Sequence, residues 1–458
     1  MRALPLSLAA AAAVAAGVLL SNCGGGSSGS GTAVSSAAGL PASAASSVSP
    51  AARLSLAAQV GQKMFFDTRL SGSGQMACAS CHDPKAAYGP PNNLAVQLGG
   101  TKLDAAGTRA VPSLRYKDYT PPYADLLDNP DGISVPGPGG GYTWDGRAAT
   151  LAEQAQIPLL AANEMANASA ASVVATLQAG PYADLFRQAF GSQAFANVDS
   201  AFSNARQALQ AYQLEDPSFH PYSSKFDLYA GNKIGGSLSA AEQRGLKVFS
   251  NPQTGNCASC HYQGAGLNGS SALFTDFSYE AIGVPRNPAI PANADPGQFD
   301  LGICGPLRTD HPSAPGNTFC GMFKAPTLRN VAVRTSFFHN GVMHSLEQVI
   351  RFYNTRDTMP ELWYPTVGGT PKAVPDAGFP TYGLVTTQYA GGTVQKYNDL
   401  PASFIANLDT QLPLDGRSAH STPPMSEQDI ADLICFLRTL TDADQQAAAP
   451  VAAGACTD

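Results

Sequence analysis

Two identical pentapeptides carry the most specific chemistry in the chain: Cys78-Ala79-Ser80-Cys81-His82 and Cys257-Ala258-Ser259-Cys260-His261. Two thiols at this spacing with a histidine directly after them can add to the vinyl groups of a haem and bring the imidazole to its iron. A zinc site would need a second Cys/His pair near each copy, and neither copy has one. A redox dithiol does not need the trailing histidine. The reading is two covalent haem c groups, one on Cys78, Cys81 and His82, the other on Cys257, Cys260 and His261.

Function then depends on what faces each histidine across the iron. A second strong ligand favours electron transfer, whereas an open face with acid–base groups favours peroxide chemistry. No histidine lies between His82 and His220. Instead the chain reads Trp144-Asp145-Gly146-Arg147, then Thr150 and Glu153 as a capping box, with Gln154 and Pro158 four apart on one helix face, and then Glu164. A carboxylate over the iron could move a proton between the two oxygens of a bound peroxide. The same spacing also suits an ordinary surface helix, and Trp144 also suits a core position.

The elements that must position these groups are repeated. Leu54-Ser55-x-Ala57-x-Gln59-x-Gly61-x-Lys63-x-Phe65 aligns without a gap to Leu238-Ser239-x-Ala241-x-Gln243-x-Gly245-x-Lys247-x-Phe249, and each stretch leads to its own Cys-Ala-Ser-Cys-His. Each reads as an amphipathic helix with a serine cap. The expected architecture is mainly α, with two cytochrome c-like haem domains and long loops. The first spans residues 51–232 and closes with a helix over 200–212. The second spans 233–445 and closes with a helix over 426–440. Gly/Pro-rich loops at 117–142, 284–318 and 364–400 are expected to carry little regular structure, and 446–458 reads as a tail.

With 458 residues and a net charge of −7 without a basic block, the chain gives no support to a nucleic-acid partner. Residues 1–23 read as an export signal ending in a lipobox-like Leu20-Ser21-Asn22-Cys23, and 24–50 as a flexible linker. A lipid anchor at Cys23 and a periplasmic location are therefore expected. Of nine cysteines, four are assigned to haem and one to the lipobox. The remaining four are expected to pair as Cys304–Cys320 and Cys435–Cys456.

The run Trp-Asp-Gly-Arg…Gln…Pro…Glu-Met between two Cys-x-x-Cys-His sites resembles the bacterial dihaem cytochrome c peroxidase/MauG family. Phe323-Lys324-Ala325-Pro326-Thr327-Leu328-Arg329-Asn330-Val331 and Phe338-His339-Asn340-Gly341 extend the similarity over roughly residues 51–445. The resemblance implies that Trp144 relays electrons between the haems, that Glu164 and Gln154 line the peroxide pocket of the first haem with Pro158 beside them, and that His339 lies near the second. Fourteen residues after His339, where ordinary dihaem peroxidases have methionine, this chain has Tyr353, the MauG-like choice of axial ligand. Met343, Met359 and His344 are rival ligands. The family's calcium ion between the haems remains open: Ala110 and Arg334-Thr335-Ser336 replace its usual ligands, leaving backbone carbonyls and water. The implied activity is reduction of hydrogen peroxide with electrons from a small cytochrome or cupredoxin. The alternatives are a MauG-like oxidase modifying residues of a partner protein, and a dihaem electron carrier.

Overall fold

The computed structural model describes residues 53–266, 269–372, 379–449 and 455–457. The expected signal and linker lie outside them. Ten α-helices form among the described residues: α1 (Leu56–Phe65), α2 (Cys78–Cys81), α3 (Leu151–Leu160), α4 (Ala170–Gln178), α5 (Ala183–Phe190), α6 (Val198–Glu215), α7 (Lys225–Ala230), α8 (Ala240–Ser250), α9 (Leu346–Thr355) and α10 (Glu427–Arg438). Strands occur as short antiparallel pairs, including β1 (Leu98–Gly99) with β2 (Ala105–Ala106), β3 (Ala124–Leu127) with β4 (Gly137–Gly139), and β5 (Tyr279–Glu280) with β6 (Phe323–Lys324). The fold is mainly α, as the sequence pattern implied.

The gapless repeat becomes two equivalent helix crossings. Ser55 and Ser239 cap α1 and α8, their hydroxyls accepting the N–H groups of Ala58 (3.1 Å) and Glu242 (3.2 Å). Gln59 and Gln243 fold back onto the carbonyls of Leu54 (2.8 Å) and Leu238 (2.9 Å). The repeated glycines mark where α1 crosses α6 and α8 crosses α10. A Cβ on Gly61 would stand 1.9 Å from the Ala208 carbonyl oxygen, and one on Gly245 2.0 Å from that of Asp432. Only glycine permits backbones to approach this closely. Phe65 and Phe249, one turn later, are fully buried.

Two large apolar clusters result. One gathers residues from Val60 to Phe219, the other residues from Phe226 to Leu440. Between them runs a polar seam. Asp442, wholly buried, accepts from Arg115 Nη1 (2.8 Å), Tyr116 Oη (2.6 Å) and Asn330 Nδ2 (2.6 Å). Gln445 grips the loop that follows His82: its Oε1 accepts Ala87 N–H (3.0 Å) and its Nε2 donates to Pro84 O (3.1 Å).

Some element bounds differ from expectation. The closing helix of the first half starts at Val198 because Asn197 caps it, accepting Ser200 N–H at 2.9 Å, and it continues to Glu215. Ser426, expected as the first residue of its helix, lies outside it as the cap, as Ser345 does for α9. Disulfides join Cys304 to Cys320 and Cys435 to Cys456. The second holds the end of the expected tail against α8, where Ser239 Oγ donates to Cys456 O (2.7 Å).

Candidate active site

Each Cys-x-x-Cys-His motif forms a tight turn that closes with the histidine N–H donating to the first cysteine's carbonyl, at 2.9 Å in both copies. Both imidazoles are then oriented from behind. His82 Nδ1 lies 3.0 Å from Tyr88 O, and His261 Nδ1 lies 3.1 Å from Phe274 O. The two carbonyls belong to residues in the left-handed region, with φ of 56° at Tyr88 and 54° at Phe274. Such backbone is costly for an aromatic residue and persists only where its surroundings impose it. Burial keeps both rings neutral, lowering each to about 4. With Nδ1–H directed at a carbonyl, Nε2 is left as the free donor atom for a metal. All four motif thiols are unpaired.

A cavity of about 200 Å³ opens in front of His261. Its wall includes Tyr353 and Trp144, and it reaches Ala87 and Pro112 beside the His82 loop. Tyr353, on α9, has no hydrogen-bond partner among the described residues, and burial pushes its phenol far above the ordinary tyrosine value. The rivals differ. Met343 is fully buried in the second cluster, Met359 packs against that cluster, and His344 is exposed with Nδ1 3.0 Å from Thr335 O; none of the three lines the cavity. His339 does line it, stacked on Phe323 with ring centroids 3.5 Å apart. Burial, with Asp409 and Asp276 nearby, pushes Glu280 on the same wall up to about 8.

On the first side, Thr150 Oγ1 caps α3 through Glu153 N–H (3.1 Å), while the Glu153 carboxylate takes Ala149 N–H (2.7 Å), one residue earlier than a standard capping box. Pro158 lacks the N–H that would continue the ladder, and α3 stops at Leu160. The turn that follows is pinned: Met165 N–H donates to Pro158 O (3.0 Å), and Glu164 O accepts Gly100 N–H (2.7 Å). Glu164 is partly buried and its carboxyl makes no hydrogen bond among the described residues. Burial raises its pKa, with Arg147 opposing. Its charge also acts on the Cys81 thiol, which burial and Glu164 push up to about 11. The Gln154 side chain likewise has no hydrogen-bond partner there.

The Trp144-Asp145-Gly146-Arg147 run is a clamp for the indole. Trp144 Nε1 donates to Ala110 O (2.8 Å), and its carbonyl accepts Lys324 N–H (3.0 Å). Asp145 is wholly buried between Arg109 (2.7 Å) and Arg147 (2.8 Å). Burial opposes its ionisation, but the two guanidinium groups outweigh that and hold it below the usual aspartate value. Gly146, at φ +72°, has Tyr279 Oη where a Cβ would stand, 2.3 Å away.

Residues 55–234 match the family model described as di-haem cytochrome c peroxidase. The chain is 34% identical over 304 residues to the methylamine utilization protein MauG of Paracoccus denitrificans, covering 65% of this chain and 74% of that protein. The chain belongs to the dihaem cytochrome c peroxidase/MauG family. The cytochrome c551 peroxidase of Pseudomonas aeruginosa is 28% identical over 295 residues, covering 64% of this chain and 70% of that one. The solved diheme peroxidase BthA from Burkholderia thailandensis superposes with a TM-score of 0.71 at 35% identity, over 87% of this chain and 90% of that one.

The residues fit the two haem c groups this family implies. Thiols and oriented imidazoles are present at both motifs, a roomy cavity lies in front of His261, and cations for haem carboxylates line it. Lys117, Lys324 and Arg334 line the cavity, and none of them forms an ion pair with a carboxylate among the described residues. Burial lowers them to about 8, about 7 and about 10 respectively. No sequence motif marks these three as site residues. Lys324, a lone charge within Phe323-Lys324-Ala325-Pro326, was the available signal.

Proposed function

We propose that this protein is a dihaem c-type peroxidase that reduces hydrogen peroxide on the Cys78/Cys81/His82 side, with Tyr353 and His261 serving a second haem that stores or relays an oxidising equivalent. When bound, the haems supply the electron transfer to peroxide oxygen. The chain's own residues do the rest. His82 and His261 present neutral Nε2 atoms because Nδ1 is engaged behind them. Glu164 takes a proton from the incoming peroxide at its carboxylate oxygen and returns it to the departing oxygen, a role typically worth ~10²–10⁴-fold in rate. Burial raises its pKa above the ordinary glutamate value, which makes the carboxylate a readier proton acceptor. The Gln154 amide, free of other partners, orients the peroxide, and Pro158 ends α3 so that the chain can turn to present Glu164. Trp144, held rigid by Ala110 O, offers an oxidisable ring along the cavity between the two motifs. Tyr353 offers a hard oxygen donor, which stabilises oxidised iron better than a thioether does.

The observation that carries this reading is the unpartnered Glu164 carboxyl beside Cys81, in a stretch without a rival histidine. The expected resting EPR spectrum of the purified protein has one high-spin and one low-spin ferric haem. Two low-spin signals would instead make the protein an electron carrier. A MauG-like oxidase acting on a partner protein is the second reading, favoured by Tyr353 and by the higher identity to MauG than to cytochrome c551 peroxidase. The electron source in the first reading is a small cytochrome or cupredoxin. Both readings suit a periplasmic protein anchored through Cys23.

A further inference from the structure

A calcium ion between the haems does not fit this chain. Ala110 has no side-chain donor, and no group of three or more His, Cys, Asp or Glu suited to a metal occurs among the described residues. Two of the carbonyls that remain are already in use. Arg334 Nη2 donates to Val111 O (3.2 Å) and to Ser336 O (3.0 Å), spanning the seam between the two halves. Around it the seam closes through Ala110 N–H to His339 O (2.7 Å) and Thr335 Oγ1 to Asn92 O (2.5 Å).

Arg334 is also one of a row. Its charge acts on Lys117, and that of Lys117 acts on Lys324, so each depresses its neighbour after burial has done most of the work. Arg334 and Lys117 both act on His82. Lys324 donates to Gly141 O, and Lys117 has no hydrogen-bond partner among the described residues. Three basic groups gathered in one cavity wall are unfavourable in the bare protein, because the acids on that wall, Glu280 and Asp409, form no ion pair with them and buried charge needs a counter-charge. A dianionic haem edge would provide one.

We propose that Lys117, Lys324 and Arg334 form a built-in cation between the haems, which holds the seam where a metal ion would sit and receives haem carboxylates, so that the loaded protein neither binds nor needs calcium. This rests on the presence of haem c, which a pyridine haemochrome count tests separately: fewer than two haems per chain would refute that reading alone.

The test uses the haem-loaded protein. Metal analysis after gel filtration should find no stoichiometric calcium, and calorimetric titration with calcium chloride should give no heat of binding. Chelation with EDTA should leave the Soret spectrum and the melting temperature unchanged. A fixed positive charge favours the reduced, less positive haem, so Arg334→Met should shift the midpoint potential of at least one haem negatively, whereas Arg334→Lys should stay near wild type. If Arg334→Met fails to fold, Lys117→Met carries the same test without touching the seam carbonyls. About one calcium per chain, a melting temperature lowered by EDTA, a charge-removing variant with unaltered potentials, or an Arg334→Lys shift as large as that of Arg334→Met would each overturn the proposal.

Discussion

Replacing Gly245 by alanine tests the helix crossing that the repeat encodes. The new methyl would stand 2.0 Å from the Asp432 carbonyl oxygen, 2.6 Å from its carbon and 2.8 Å from Phe436 Cβ. Ordinary contact begins near 3.4 Å. Two of these three atoms are α10 backbone, so no side-chain rotation relieves the clash and the helices must part by roughly 1 Å or more. Leu433, Phe436 and Leu437, which α10 buries in the second cluster, would loosen with it. Overpacking of this kind costs typically ~1–3 kcal/mol, and more where backbone must move. Alanine regains ~1 kcal/mol of helix propensity. The net loss is about 2 kcal/mol at the upper end of that range, which for a domain of this size lowers Tm by about 4–8 °C. The assay is thermal unfolding of the haem-loaded protein, followed by circular dichroism and at the Soret band. Gly137→Ala is the control, since a Cβ there meets nothing within 4 Å. A Gly245→Ala protein that melts within about 1 °C of that control would refute the close crossing.

Further outcomes follow from the site and the seam. Glu164→Gln should slow peroxide consumption by ~10²–10⁴-fold while leaving both haems attached. Glu164 must be ionised to accept a proton and its pKa is raised, so wild-type activity should fall as pH drops through a limb lying above the ordinary glutamate value; stopped-flow profiles should show this limb vanish in the variant. Tyr353→Phe should change the absorption and EPR of the His261 haem and leave the His82 haem unaltered, and an unchanged spectrum would remove Tyr353 as a ligand. Asp442→Ala strands the buried Arg115 and Asn330 and should cost on the order of 3 kcal/mol in chemical denaturation; a loss below about 1 kcal/mol would mean that Asp444 compensates.

What sequence reading reached, and what it missed, follows from how each feature is encoded. The two pentapeptides, the repeat and both disulfides depend on residue type and spacing. Serine caps and crossing glycines are local, so the repeat alone pairs Ser239 and Gly245 with Ser55 and Gly61. The carbonyls behind the histidines could not be anticipated, because Tyr88 and Phe274 contribute backbone oxygen from a conformation their side chains disfavour. The grasp of Arg334 on Val111 and Ser336 was equally hidden. An arginine beside a lost metal ligand reads as a surface charge until the fold brings residue 111 to it. Asp442 meets Arg115 across 327 residues, and no periodicity reports such a pairing.

The grip of Gln445 on the loop behind His82 also has a consequence in time. The two partners are 358 residues apart, so the first motif leaves the ribosome long before its latch exists. At ~5–20 residues per second the interval is roughly 20–70 s. Throughout it the first thiol pair lies on a loop that cannot yet be locked, whereas Cys257 and Cys260 emerge less than 200 residues before the latch. The order of synthesis therefore leaves the loop of the first motif open until the C-terminal segment has emerged, and the chain locks that loop last.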